Sequence, residues 1–255
     1  MNTMIDYLLA VLIGWLVGSL INYLSDTLPE KRRLQRPFCQ NCGADFQYLN
    51  YIIWPRRCTH CGRSRRWRVF LVELLLIIAS VWLWRNRPIE PGYLAGLIII
   101  GYLTLVTVID LEWRLILHVT SLFGLFIGII IGTIRHGFIP TLKGGAAGFL
   151  LMLALYLLGF LFLRLSKKLR GEALIETEAL GFGDVNLGGV IGLLLGWPGI
   201  LMGLVLAIML AGFISLIYIL YKLARKQYSP NIALPYGPFL AASAVILLFL
   251  RNILF

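Results

Sequence analysis

Charge is what this sequence has least of. Asp and Glu together number 12 in 255 residues, and charged residues of both signs make up 14%, against about 25% in an ordinary soluble domain. That shortage excludes a soluble globular fold. Histidine is nearly absent as well. Of the three present, His118 and His136 have no partner at metal-ligand spacing, and His60 lies between Cys58 and Cys61, two of four cysteines that complete a tetrahedron without it. No segment repeats at a 20–50-residue period and no low-complexity tract interrupts the chain, which removes solenoids and arrays. No Lys or Arg precedes the first apolar run and no small-residue cleavage pattern closes it, so it reads as a retained helix and not a signal peptide.

What remains is hydrophobic: 59% of the chain. Runs long enough to cross ~30 Å of hydrocarbon recur, near 4–24, 69–84, 92–109, 115–134, 144–165, 186–197, 199–221 and 236–254. The sixth is short, and its turn into the seventh rests on Trp197-Pro198. The fold expected is all-α, a polytopic membrane bundle of about eight helices with a small cytoplasmic zinc-knuckle loop. Its divisions are a first helix over 1–27, a polar insertion over 28–68 and a helical bundle over 69–255.

The basic residues orient it. Of 23 Lys and Arg, 18 fall on one side of these spans and five on the other. The positive-inside rule puts the insertion and the 164–185 loop in the cytoplasm, with both termini outside. A basic face against anionic headgroups accounts for the net charge of +11 without nucleic acid.

All four cysteines lie in the polar insertion, as two C-x-x-C pairs, Cys39/Cys42 and Cys58/Cys61, with 15 residues between them. This spacing fits a four-thiolate zinc site. Gly43 and Gly62 follow the pairs, as a knuckle turn with positive φ requires. Two disulfides would use the same cysteines, but a cytoplasmic loop is a reducing place.

Most acids fall in loops and read as solvated charge; Glu172, Glu176 and Glu178 are among them, with binding of a basic partner by charge complementarity as a secondary reading. Two acids do not fit that description. Asp110 ends the run LIIIGYLTLVTVID, and Asp184 ends GFGD before VNLGGVIGLLLGW. Both sit at the cytoplasmic mouth of a span, at similar depth. Singly, one terminates a helix and the other is an N-cap. Together, two carboxylates that cannot both ionise easily supply a base and an acid. Gly181 and Gly183 clear side chains from beside Asp184, while Gly188 and Gly192 have the spacing of close helix packing.

These residues carry a resemblance. GFGD at 181–184 resembles the G-x-G-D motif of intramembrane aspartyl proteases. GSLINYLSDTLPE (18–30), the paired C-x-x-C loop, FLVELL (70–75), VIDLEWRLI (108–116) and LPYGPFLA (234–241), in that order, resemble the type 4 prepilin peptidases of bacterial pilus and type II secretion systems. The resemblance implies an inner-membrane enzyme whose cytoplasmic-face site cuts the basic leader from prepilins or pseudopilins, and in many members N-methylates the new terminus with S-adenosylmethionine. It implies Asp110 and Asp184 as the catalytic pair, Gly181 and Gly183 as shaping residues, and Cys39, Cys42, Cys58 and Cys61 as Zn²⁺ ligands tied to methyl transfer, with no cofactor for proteolysis. It gives no residues for S-adenosylmethionine. Leu117 stands where the motif usually reaches a proline, which predicts a helix running on past the site. Asn186 and Thr27 replace a common lysine and arginine. The stretch between the cysteine pairs is short, which bears on methyl transfer more than on cleavage.

Two other classes use the same residues: a proton- or cation-coupled transporter with Asp110 and Asp184 as its site, and a non-catalytic zinc-loop assembly factor. A carrier site belongs near the bilayer midplane, whereas these acids end their spans.

Overall fold

A computed structural model describes residues 3–31, 34–52, 56–86, 92–170, 181–226 and 235–250. The loop acids Glu172, Glu176 and Glu178 lie outside them. Regular structure among the described residues is helical, with two isolated bridges in the polar insertion. Hydrocarbon offers the backbone no partners, and a helix satisfies its own N–H and C=O groups. The helices are α1 (Thr3–Lys31), α2 (Tyr48–Ile52), α3 (Arg68–Asn86), α4 (Tyr93–Trp113), α5 (His118–His136), α6 (Phe138–Arg170), α7 (Phe182–Leu195), α8 (Gly199–Ala224) and α9 (Gly237–Val245), the last continuing as a π turn over Ile246–Leu250. Six are long and apolar enough to cross a membrane: α1, α3, α4, α5, α6 and α8. The shorter apolar helices α7 and α9, the latter with its π turn, complete the expected set of eight. The protein is an all-α membrane bundle.

One expectation fails. The helix runs only three residues past Asp110 and does not reach Leu117. Arg114 takes a left-handed φ of 52°, its N–H closes onto the Asp110 carbonyl at 2.9 Å, and α4 stops at Trp113. Leu117 is extended (φ −75°, ψ 143°) and caps α5. A left-handed residue ends a helix as firmly as a proline does, so the break survives the loss of the proline.

By its internal packing the chain forms two compact units, Met1–Ile109 and Asp110–Phe255. In the first, α1 lies on α3 through two glycines one turn apart. A Cβ on Gly14 would come 2.8 Å from the Ile77 Cα, and one on Gly18 2.8 Å from the Glu73 Cα. In the second, α7 is the central element, packed on α5, α6, α8 and α9. Its contact with α6 is glycine on glycine: Cβ atoms on Gly144 or Gly148 would collide with the Gly192 or Gly188 carbonyl, and one on Gly192 with the Gly144 carbonyl. Where lipid removes the hydrophobic drive between helices, such close backbone approach supplies the dispersion contacts that hold them.

Candidate active site and thiolate centre

The polar insertion folds as two like knuckles. In the first, Cys39 N–H donates to the Ala44 carbonyl (2.8 Å), Gly43 N–H donates to the Cys39 carbonyl (2.8 Å) and Phe38 bridges Asp45. In the second, Cys58 N–H donates to the Arg63 carbonyl (3.0 Å), Gly62 N–H donates to the Cys58 carbonyl (2.9 Å) and Arg57 bridges Ser64. Gly43 and Gly62 take φ of 72° and 67°, the left-handed turn that glycine alone enters without cost.

The four sulfurs converge. All lie within 4.8 Å of one another, the Cys39–Cys61 and Cys42–Cys58 Sγ pairs are each 3.7 Å apart, and no disulfide joins them. A tetrahedron of sulfurs at about 2.3 Å from zinc has edges of about 3.8 Å. The thiols therefore fit a four-coordinate zinc ion. Their acidity agrees: backbone N–H groups of Cys61 and His60 lower the Cys58 thiol to about 6. Cys42 is the opposite case. The Ala44 N–H favours its thiolate, yet desolvation and the sulfurs of Cys61, Cys39 and Cys58 push it up to about 12. Bound Zn²⁺ would remove that penalty by neutralising the crowded thiolates. His60 lies between ligands and is not among the converging groups.

Two buried acids that no local pattern singles out, Asp26 and Glu73, tether this loop. Asp26, near the end of α1, accepts from Arg65 (2.5 Å), the Tyr51 hydroxyl (2.7 Å), Gln40 (3.3 Å) and Arg68. Glu73, on α3, is held by both terminal nitrogens of Arg56, each at 2.9 Å, and accepts from Ser19 at 3.1 Å. Arg65 also lies 3.7 Å from the centroid of the Tyr51 ring. Asp26, buried beneath four donors, ties Gln40, Tyr51 and Arg65 of the insertion to the end of α1.

The second unit holds the two predicted aspartates. Asp110 is three residues from the end of α4, and Asp184 is the third residue of α7. Asp184 is thus not the N-cap; Gly181 is, and its N–H donates back to Asp184 Oδ2 at 3.3 Å while Asp184 N–H donates to the Gly181 carbonyl at 3.0 Å. Asp110 Oδ2 accepts from the Gly237 N–H at 3.1 Å. Both carboxylates are buried, and Asp184 lies within range of the charge of Asp110. Asp184 Oδ1 is buried with no hydrogen-bond partner among the described residues, a rare and costly state.

The glycines divide. A Cβ on Gly183 would come 2.6 Å from the Ile116 Cβ, so this glycine seats α7 against the chain after α4. A Cβ on Gly181 would make an ordinary 3.6 Å contact with Asp184 Oδ2. Gly237 was missed as a site residue although its motif, LPYGPFLA, was visible: a Cβ there would lie 2.6 Å from Asp110 Oδ2. Beside α7 a mostly apolar groove of about 740 Å³ runs between α5 and α6, with His118, Ser121, Phe182 and Asn186 among its lining residues.

A polytopic helical membrane protein with two buried, interacting aspartates and a separate four-thiol loop is the class that this fold and these sites define. Residues 97–218 match the type IV leader peptidase family and residues 12–86 match the bacterial peptidase A24 N-terminal domain. The chain is 31% identical to a prepilin leader peptidase/N-methyltransferase of Dickeya chrysanthemi, covering 82% of this chain and 71% of that one. It is 29% identical to that of Aeromonas hydrophila (88% and 74% covered) and 27% identical to that of Legionella pneumophila (95% and 91%). No solved structure gives a significant match. The chain belongs to the type IV leader peptidase family. Neither the carrier nor the assembly-factor reading gains support from these relatives.

Proposed function

We propose that this protein is a membrane aspartyl endopeptidase that removes the basic leader from prepilin-like proteins, and that Asp110 and Asp184 are its catalytic pair. The observation that carries the reading is two buried, interacting carboxylates, each holding one glycine N–H, with one Asp184 oxygen left unpartnered. Such a pair suits metal-free amide hydrolysis. One carboxylate takes a proton from a water, whose oxygen bonds to the scissile carbonyl carbon. The other carboxyl gives its proton to the carbonyl oxygen, forming a tetrahedral diol. As the C–N bond breaks, the first carboxyl passes the proton it gained to the departing amine and one diol proton returns to the second carboxylate. Family membership and the relatives' names supply the substrate class. Cleavage of a reconstituted prepilin at the leader junction, read by mass spectrometry, tests it; an uncut prepilin with intact enzyme counts against it.

The orientation follows from the charge asymmetry: bacterial inner membrane, both termini outside, thiol loop and aspartates toward the cytoplasm. There the basic leader would meet the enzyme. Residues 28–68 are assigned to zinc and to N-methylation of the new terminus from S-adenosylmethionine, an activity that the relatives' names carry, and 69–255 to cleavage. Cys39, Cys42, Cys58 and Cys61 would hold the zinc, which closes the loop and takes no part in hydrolysis. Purified protein should contain about one zinc per chain by elemental analysis. Cys39→Ser or Cys58→Ser should lower that at least roughly tenfold at limiting metal, because three thiolates hold Zn²⁺ far less firmly than four. Cleavage should continue in those variants and in the presence of chelators, while methylation of the mature N-terminus disappears. Loss of cleavage with insertion intact would overturn this division.

A further inference from the structure

We propose that Gly237, at the start of α9, is a positioning residue for Asp110. The inference rests on the aspartyl reading above and goes beyond it.

Three observations carry it. First, the Gly237 N–H donates to Asp110 Oδ2 at 3.1 Å across 127 residues of sequence, in a buried setting. Second, there is no room for a side chain: a Cβ on Gly237 would stand 2.6 Å from Asp110 Oδ2 and 3.2 Å from its carboxyl carbon. Third, α9 packs on α7, the helix that carries Asp184, so the element that holds Asp110 also touches the helix of the second acid. α9 is well suited to aim this one donor. Phe239 and Leu240 turn their N–H groups onto the Tyr236 carbonyl at 3.1 and 3.3 Å, and Pro238, the next residue of the helix, has none to give. Of the first four backbone positions of α9, Gly237 alone directs its N–H at Asp110.

The consequence is geometric. With Oδ2 held by a backbone donor the plane of the Asp110 carboxylate is fixed, and Oδ1 is the oxygen left for water or for the scissile amide. Asp184 is fixed in the same way, Oδ2 on the Gly181 N–H, with Oδ1 unpartnered. Each acid is therefore oriented by one glycine N–H. Only the Asp110 clamp depends on the absence of a side chain, because a Cβ on Gly181 would meet Asp184 Oδ2 at an ordinary 3.6 Å.

The test compares Gly237→Ala with Gly212→Ala, a control glycine of α8 at which an added Cβ meets nothing within 4 Å, in full-length enzyme in nanodiscs, cutting a purified prepilin. Gly237→Ala forces the carboxylate to turn and should lower kcat about 100-fold, the usual cost of misplacing a catalytic group by about 1 Å, with KM changed less than about twofold because substrate binding is untouched. Gly212→Ala should stay within about threefold of wild type. Should Gly237→Ala not fold, glycolic acid at position 237, introduced by cell-free translation, replaces the N–H by an ester oxygen without adding an atom. That protein should still lose about tenfold or more in kcat, the worth of a hydrogen bond to a charged group. Wild-type kcat in Gly237→Ala or in the ester, or a rise in KM with kcat unchanged, overturns the proposal. Asp110→Asn separates the two readings: if it cuts normally the aspartyl assignment fails, and if it is inactive while Gly237→Ala is fully active only the positioning role fails.

Discussion

Asp110→Asn and Asp184→Asn should each lower prepilin cleavage by about 10²–10⁴-fold, the scale of a lost general acid or base. The substitution keeps volume and shape. The asparagine oxygen can still accept from Gly237 N–H at position 110 or from Gly181 N–H at position 184, so the start of α7 and the hold of Gly237 on residue 110 should persist. What disappears is the proton economy of the pair. A lone carboxylate can take a proton from water or give one to the leaving amine, but it cannot begin the reaction in both states. The variants should therefore insert, bind zinc and elute as wild type does. Normal turnover by either one in a reconstituted assay would end the aspartyl mechanism.

Much of this arrangement was legible in the sequence because membrane solvation leaves little freedom. A chain with 12 acids in 255 residues makes each acid near an apolar run conspicuous, and Asp110 and Asp184 stood out for that reason. The cysteine pairs were legible because tetrahedral coordination ties chemistry to spacing. Gly188 and Gly192 announced their packing face, though not that Gly144 and Gly148 answer them across α6. What escaped depends on long-range partners. Asp26 and Glu73 look like ordinary charges near span ends, and nothing local says that Arg65, Arg68 and Arg56 will fold back to bury them. Gly237 is one of 26 glycines, and only its 127-residue partnership with Asp110 sets it apart. The break after α4 was misjudged because Arg114 carries no signal for left-handed backbone.

The buried pair of Arg56 and Glu73 yields the second large effect. Both side chains are almost wholly enclosed, at 6% and 9% exposure, and the guanidinium meets the carboxylate with two 2.9 Å hydrogen bonds. Ser19 from α1 completes the acid and the Ile52 carbonyl occupies Arg56 Nε. Such a pair is a poor source of net stability, since taking two ions from water costs about what their attraction returns, yet removing one partner strands the other. Glu73→Leu should accordingly destabilise the protein by about 3–5 kcal/mol, read as a lower denaturant midpoint in micelles. The loss should begin in the polar insertion, because Arg56 is two residues before Cys58 and would pull the second knuckle toward water. Zinc retention under chelator challenge should fall with it. The double variant Arg56→Met/Glu73→Leu removes both charges and should recover most of the midpoint. If Glu73→Leu alone matches wild type in both midpoint and zinc retention, the pair does not fasten the loop to α3, and the tether rests on Asp26 alone.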